Sequence, residues 1–596
     1  MKTYGIDLGT TYSAIAALDD KNLPKIIENF EEGGYLLASA VYFPEDGPPV
    51  VGAVAKNFAE IEPERVVQFV KRGIGTSDAK RYDFNDEEYG PIEISSLILK
   101  RMVEYAEKQG EKVENVVITC PANFKIERRN ATRMAAELIG LNVLNIVNEP
   151  TAAALNYCSR EYKESRKILV FDLGGGTFDV TLLDFSVDDS GATSIDVIDT
   201  DGNDRLGGAD WDDRLFEHLC ECYCEEIGES REDLDAMLSQ EIRNTAEETK
   251  KKLTNMESWK VTVARSVRFE VTREKFEELT KDLVTRTVDF ISKLLTDTGL
   301  GGDDVDLVLL VGGSTKMPMI QRAVEEIFPG KVQIEEPDFA VAKGAAIAAS
   351  IEFSEHTEKL VENLKRKLLG IQSGGDAGEL DEIIKDIEEL APELAQELIG
   401  GEDGDDLTVE SISEAIDMLV KSIPDAPSNI SLPKDKLNSS FGPAVGATVG
   451  GVDEFVIDNL LFKGDQSPAE KKETYGTMVD NQEAIRLPIY ENLATDRVNT
   501  FVTPDIDLQG NAQETDPELN VNKIGELYIP LPHGTPGGSP IEVTFNYSTA
   551  GLDVKARNPS TGELFDTFIS SANLLSPEAF EETQNRFAAM KTRSDV

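Results

Sequence analysis

Residues 171–179 read FDLGGGTFD: three consecutive glycines stand between Asp172 and Asp179, directly after the apolar run Ile168, Leu169 and Val170. Consecutive glycines cost backbone entropy and contribute no side-chain packing, so they point to a backbone that must bend freely and be approached closely. The same order of strand, Asp, Leu, Gly, small polar loop and strand recurs in YGIDLGTTYSAIAAL (4–18), where Asp7 takes the place of Asp172. Alternating apolar residues flank both loops, which predicts two β-hairpins with turns of Gly and Thr. A Walker loop would instead read GxxxxGK[ST] and lead into a helix.

A third glycine turn, LVLLVGGSTKMP (307–318), follows a β run and precedes a helical one. Strand and helix patterns alternate from residue 1 to about 352, which predicts an α/β architecture with an internal duplication. Two Gly/Thr turns facing each other across a cleft would present main-chain N–H groups to phosphate oxygens. Asp7 and Asp172, which would otherwise repel those oxygens, suit a hydrated Mg²⁺ between them. The expected ligand is a nucleoside triphosphate with its metal.

The chain has 596 residues, enough for roughly three or four folding units. Its formal charge of −52, from 111 acidic against 59 basic residues, repels phosphate backbones and anionic membranes. Neither nucleic acid nor a membrane is therefore an expected partner. No apolar stretch is long enough to span a bilayer, and MKTYGIDLG shows no secretory leader, so the expected location is cytoplasmic. Five cysteines are compatible with a reducing compartment. Three of them form CECYC (220–224), a spacing that invites a metal. On a helix, however, Cys220 and Tyr223 would share the buried side with Leu215 and Leu219, leaving Cys222 and Cys224 outward. Packing and surface thiols are the expectation, since His218, His356 and His533 are too scattered to complete a ligand set.

Composition changes after residue 352. From about 353 to 432 the chain reads as an acidic helical insert, with Leu380, Ile383, Ile384, Ile387, Leu390 and Leu394 on one apolar face before Gly400 and Gly401. Over 433–572 short alternating runs such as EFVIDNLLF, AIRLPIY, GELYIPL, IEVTFNY and LDVKAR predict an antiparallel β-sandwich. Residues 573–596 read as one short helix, with Ser576 as N-cap, Pro577 at the first helical position and Glu578 at the positive helix end.

The motifs GIDLGTTYS (5–13), VKRGIG (70–75), NEPTAAAL (148–155), FDLGGGTFDV (171–180), RLGGADWD (205–212) and LLVGGSTKMPMI (309–320) together closely resemble the nucleotide-binding domain of the seventy-kilodalton heat-shock (DnaK-type) molecular chaperones. The resemblance covers residues 1 to about 352, with the motifs in the family's order. It implies a two-lobed actin-like fold, each lobe ribonuclease-H-like, around a deep cleft for ATP or ADP with Mg²⁺, and K⁺ as a further candidate ion. Gly9, Thr10, Thr11 and Tyr12 would cradle one side of the phosphates, and Gly174, Gly175, Gly176 and Thr177 the other, with Gly207 and Gly208 from the RLGG motif. Lys71 matches the family's catalytic lysine, and Glu149 and Asp179 match carboxylates that orient water and metal. With Thr177, Asp7 and Asp172 they form the implied catalytic set for weak ATP hydrolysis. On the adenosine side would stand Glu247, Lys250, Lys251 and Thr254, which share one helix face at i, i+3, i+4 and i+7, together with Gly312, Gly313, Ser314, Lys316 and Asp338. Lys316 replaces an arginine common in the family, so planar stacking would become a looser contact.

The β region also resembles the chaperones' peptide-binding sandwich, more weakly, with channel residues expected within 440–465. The implied partners are unfolded or extended polypeptide, with J-domain cochaperones and a nucleotide exchange factor as further candidates. Departures accompany the match. The acidic insert stands in place of the family's short leucine-rich linker, and the helical lid is reduced to the terminal helix. Asn145 stands where an arginine contacts J-domain proteins and Asp204 where threonine is frequent, whereas Pro121 and Arg129 match residues that relay nucleotide state. Three other readings stay open: a small-molecule kinase of the actin superfamily, an actin-like filament protein, and a regulatory chaperone relative dedicated to one partner.

Overall fold

The computed structural model describes residues 2–593 apart from 161–163, 229, 265, 335, 373–382, 384–386, 388–408, 423–429, 450–451, 494–520, 549–550, 569–573 and 591. The first predicted hairpin is Thr3–Asp7 against Tyr12–Leu18, and the second is Arg166–Leu173 against Phe178–Val187. Around each the chain builds the same sheet. The first runs Pro24–Ile26, Tyr12–Leu18, Thr3–Asp7, Asn115–Cys120, Asn142–Asn148; the second runs Thr193–Asn203, Phe178–Val187, Arg166–Leu173, Leu307–Val311, Val332–Ile334. In both, the hairpin and its neighbour are antiparallel and the last two strands are added in parallel. The duplication read from two aspartates is therefore a duplication of whole lobes.

Two helices, Glu149–Cys158 and Ala340–Gln372, pack between the sheets. Their small side chains let the backbones nearly touch: a Cβ on Gly344 would lie 1.7 Å from the Ala152 carbonyl oxygen. The core they share takes Val117 and Val147 from the first lobe and Ile168, Val170, Leu309 and Val311 from the second. Both glycine turns consequently sit at the mouth of one cleft.

The helix Ala340–Gln372 runs on past this core, where Phe353, Val361, Leu364 and Leu368 meet Ile383, Ile387 and the Ile412, Ala415, Ile416 and Leu419 face of helix Val409–Ser422. Of the predicted amphipathic stretch, Leu380, Ile384, Leu390, Leu394, Gly400 and Gly401 lie outside the described residues.

Residues Ile430–Lys436 follow the insert and run along the outer edge of strand Thr193–Asn203, with parallel bridges Thr193 to Ile430 and Asp196 to Lys434. The amide of Lys434 donates to the Ile195 carbonyl at 3.0 Å, and that of Val197 to the Lys434 carbonyl at 3.1 Å. Ile430 enters the shared core, and the buried Asp435 carboxylate accepts from Thr151 Oγ1 at 3.0 Å. An edge strand offers unpaired main-chain groups to any extended segment. Here the chain's own connector takes them.

Beyond it lie two four-stranded antiparallel sheets. One orders Val452–Ile457, Ser440–Val449, Ala484–Asn492, Asn522–Pro530; the other orders Ala469–Gly476, Pro540–Ser548, Gly551–Arg557, Leu564–Phe568. Leu487, Ile489, Ile524 and Leu527 of the first pack on Val543, Phe545, Leu552 and Val554 of the second, and Ile126 of the first lobe joins this core. The helix Pro577–Ala589 begins at Ser576, whose hydroxyl accepts from the Ala579 amide at 3.2 Å. It packs Phe587 into the first lobe's core, after which Arg593 bridges the edge strand at Val50. On helix Gly208–Ile227, Leu215, Leu219, Cys220 and Tyr223 are buried as the helical spacing predicts, whereas Cys222 and Cys224 are half-buried rather than outward, with Cys224 packed against the second lobe's core.

Candidate functional site

Both glycine turns open into one cavity of about 570 Å³ between the lobes, with Gly9, Thr10, Thr11 and Tyr12 on one wall and Gly174, Gly175 and Thr177 on the facing one. Contact is what demands glycine here. A Cβ on Gly175 would lie 1.6 Å from Thr11 Oγ1, and one on Gly176 would lie 2.5 Å from Thr10 Cγ2. Gly207 backs the second turn, since its Cβ would come within 2.5 Å of the Gly176 nitrogen.

The turn's carbonyls are held from behind. The amides of Gly208 and Ala209 donate to the carbonyls of Gly174 and Gly175 at 2.9 and 2.8 Å, and Arg72 Nε donates to that of Gly176 at 3.2 Å. Because each peptide is planar and trans, carbonyls anchored on one side aim the next N–H groups to the other. Among the described residues no protein acceptor meets the amides of Gly175, Gly176 or Thr177. Those of Gly9 and Gly174 are bonded within their own turns, to Ser13 Oγ at 3.1 Å and the Thr177 carbonyl at 3.0 Å. The available donors thus lie toward the turn tips, and Gly207 and Gly208 act as backing rather than as lining.

Charge lies on the cavity floor. Lys71 is 3% exposed and donates to Glu149 Oε1, while Asp7 and Asp172 border the same space. This burial sets Lys71 apart from a solvated surface lysine. Burial, with Glu149 adding to it, pushes Asp7 up to about 7 and Asp179 up to about 8, and raises Asp172 in the same way. Burial alone would lower Lys71, but Glu149 and Asp7 outweigh it and hold the ammonium charged. Asp179 sits just behind the lining, accepts the Ala122 and Asn123 amides and keeps Oδ1 buried without a partner. Several buried carboxylates around one ammonium form a donor set short of positive charge, which a hydrated divalent cation fits. Among the described residues no three His, Cys, Asp or Glu side chains gather as direct metal ligands, the CECYC stretch included.

The other wall comes from helix Ala236–Asn255, which brings Glu247, Lys250, Lys251 and Thr254 to the cavity on one face. Lys56 of the first lobe donates to Glu247 Oε2 at 2.5 Å, closing the cleft rim. Burial would raise Glu247, but Lys56 and Lys251 prevail and hold it at about 2. Tyr12 lies between the same lysines, each Nζ 5.1 Å from its ring centroid. Gly312, Gly313, Ser314, Lys316 and Asp338 complete that side; Ser314 Oγ donates to the Gly174 carbonyl at 2.9 Å, and Lys316 pairs with Asp338.

Two participants escaped sequence reading. Asp212, half-buried and paired with Lys250 at 2.7 Å, also lines the cavity. Arg72 reaches across the cleft to Asp210 at 2.7 Å. The first could have been found four residues beyond Gly208 on the same helix face; the second stands beside Lys71 in VKRG.

Two duplicated lobes closing over paired glycine turns and a buried lysine define a two-lobed nucleotide-binding protein of the α/β class. The family profile described as Hsp70 protein matches residues 3–398. The chain belongs to the Hsp70 family, and its first part has that family's actin-like two-lobed ATPase fold. Members of the family are ATPases that bind ATP and ADP with Mg²⁺ and in general bind unfolded polypeptides and cochaperones. Among the described residues no helix is long and apolar enough to cross a membrane.

Proposed function

We propose that this chain is an ATP-driven chaperone in which cleft occupancy controls the grip of the two C-terminal sheets on extended polypeptide. The observation that supports it best is the pair of interlocked turns above the buried Lys71–Glu149 pair. In this reading the amides of the turn tips hold the triphosphate, and Glu247, Lys250, Lys251, Thr254 and the Gly312–Lys316 turn hold the adenosine. Lys71 places a fixed ammonium against charge developing on the γ-phosphoryl oxygens. Glu149, Asp179 and Thr177 position the attacking water. Asp7 and Asp172 would hold Mg²⁺ through water, where the ion neutralises phosphate charge, with K⁺ as a further ion.

Coupling is supported by the route of the chain. Ile430–Lys436 pairs with the second lobe, and Ile126 of the first lobe enters the core of the sheets. Between these contacts, Arg129 reaches Asn148 Oδ1 at 2.6 Å and the Ile146 carbonyl at 2.9 Å. A change in lobe angle would therefore strain both contacts of the sheets together. The test is the dissociation rate of a fluorescent extended peptide from the full chain. Faster release with Mg-ATP than with Mg-ADP is expected, and equal rates would exclude the coupling.

A further inference from the structure

Arg128 occupies the first turn of helix Ile126–Glu137 and is 6% exposed, although its guanidinium is bound to no part of that helix. Its Nε donates to the Ile74 carbonyl at 3.2 Å, and its Nη2 donates to the carbonyls of Lys71 at 3.0 Å and Arg72 at 3.2 Å. Three consecutive-region carbonyls of the loop that carries Lys71 are thus gathered on one planar fork. The guanidinium stacks on Phe124, 3.7 Å from the ring centroid, and its Nη1 pairs with Asp204. Asp204 follows the strand Thr193–Asn203, so this last bond crosses from the first lobe to the second.

We propose that Arg128 is a positioning residue for ATP hydrolysis, fixing the loop that presents Lys71 and tying that loop to lobe closure through Asp204. This rests on the ATPase reading above and adds to it a residue that touches neither nucleotide nor water. The physical basis is the geometry of the fork. A guanidinium offers five donors in one plane and can hold several carbonyls in fixed relation, which a lysine cannot. Among the described residues the Lys71 ammonium donates one side-chain hydrogen bond, to Glu149, and faces the Phe124 ring at 6.0 Å, so its placement depends on where its backbone stands. The loop is in addition short and opens at Phe69 in the left-handed region, φ 57°, so its path is set by anchors rather than by a regular element.

The arrangement also accounts for the departure at Asp204. A carboxylate there serves Arg128, and the pair is a device between lobes that neither residue makes alone. Because the Asp204 side chain is 44% exposed, its half of the clamp is the salt-sensitive half. The three carbonyl bonds, being buried, are not.

The test is single-turnover hydrolysis of prebound Mg-ATP by the full chain, measured beside the equilibrium dissociation constant of Mg-ADP. Arg128→Gln is expected to slow the hydrolytic step by about tenfold or more, since small displacements of a catalytic group carry losses of this order. Nucleotide affinity should stay within about twofold in the same comparison, because the turns are untouched. Arg128→Lys should not rescue the rate, as it restores charge without the fork. Asp204→Asn, a half-exposed change that leaves the fold's interior intact, should slow hydrolysis by a smaller factor and remove most of the rate's salt dependence. Unchanged single-turnover rates in Arg128→Gln and Asp204→Asn, with an active parent chain, would overturn the positioning role alone. A parent chain that binds Mg-ADP but never turns over ATP would overturn the ATPase reading and this role with it.

Discussion

At the scale of single residues, the site is a balance between crowded carboxylates and the cations that answer them. Asp7 stands at about 7 in the cleft against an ordinary value of 3.8, so near neutrality it is partly protonated. The sign of the linkage follows. The folded chain holds a proton that the unfolded chain releases, so this group's contribution to stability falls as pH rises from about 4 to about 7. A divalent cation favours the ionised form, and its uptake must expel the proton. Calorimetry of Mg-ADP binding at pH 6.5 in buffers of different ionisation enthalpy is therefore expected to show proton release that shrinks toward pH 9 and is reduced in Asp7→Asn. Equal heats in all buffers would remove Asp7 from the metal site. Much of this was legible in the sequence, because glycines, aspartates and the i, i+3, i+4, i+7 face of helix Ala236–Asn255 carry their spacing openly. What was not legible is contact at long range. Nothing in ERRN or DGND reveals that Arg128 meets Asp204, seventy-six positions away, and nothing in GGG reveals that Thr10 and Thr11 press against those glycines.

At the scale of elements, the helix Ile126–Glu137 holds the pivotal place. Its first residue sits in the core of the two C-terminal sheets, Arg128 clamps the Lys71 loop and Arg129 binds the strand end at Ile146. The sheets also bring the Glu491 carboxylate to the start of this helix, where burial raises it and Lys125 is the charge that most opposes the burial. Ile126→Ala empties an apolar contact, and replacing a buried isoleucine by alanine costs about 2–5 kcal/mol. Most of that loss should appear as undocking of the sheets, read as faster protease cleavage within 430–438 and a larger hydrodynamic radius while the ATPase lobes keep their melting transition. Unchanged cleavage would show that docking does not depend on this helix. Element boundaries were legible where alternation is strong, as in IEVTFNY and LDVKAR. Ala469–Gly476, AEKKETYG, was hidden because an edge strand exposed to solvent carries charges instead of alternation. Ile430–Lys436 was hidden for another reason: its order comes from borrowing the edge of Thr193–Asn203, and SLPK has little strand pattern of its own.

At the scale of the molecule, several ion pairs span the cleft, among them Lys56 to Glu247 at the rim, Arg72 to Asp210 beside the turns, and Arg128 to Asp204 with Arg205 to Asp78 beneath. The C-terminal helix and Arg593 return to the first lobe, while Ile430–Lys436 holds the second, so the sheets are tied to both halves of the machine. All of this matters only if the interlocked turns hold a magnesium nucleotide. The most direct measurement is isothermal titration of the full chain with Mg-ADP, beside Gly207→Ala and Gly174→Ala. A Cβ at residue 207 collides with the Gly176 backbone at 2.5 Å, whereas one at 174 meets its nearest neighbour at 3.5 Å. Saturable binding by the parent and by Gly174→Ala, with loss of binding in a folded Gly207→Ala, is the expected result. No uptake of Mg-ADP by the parent chain, or equal affinity in Gly207→Ala, would contradict the turns as the nucleotide's grip.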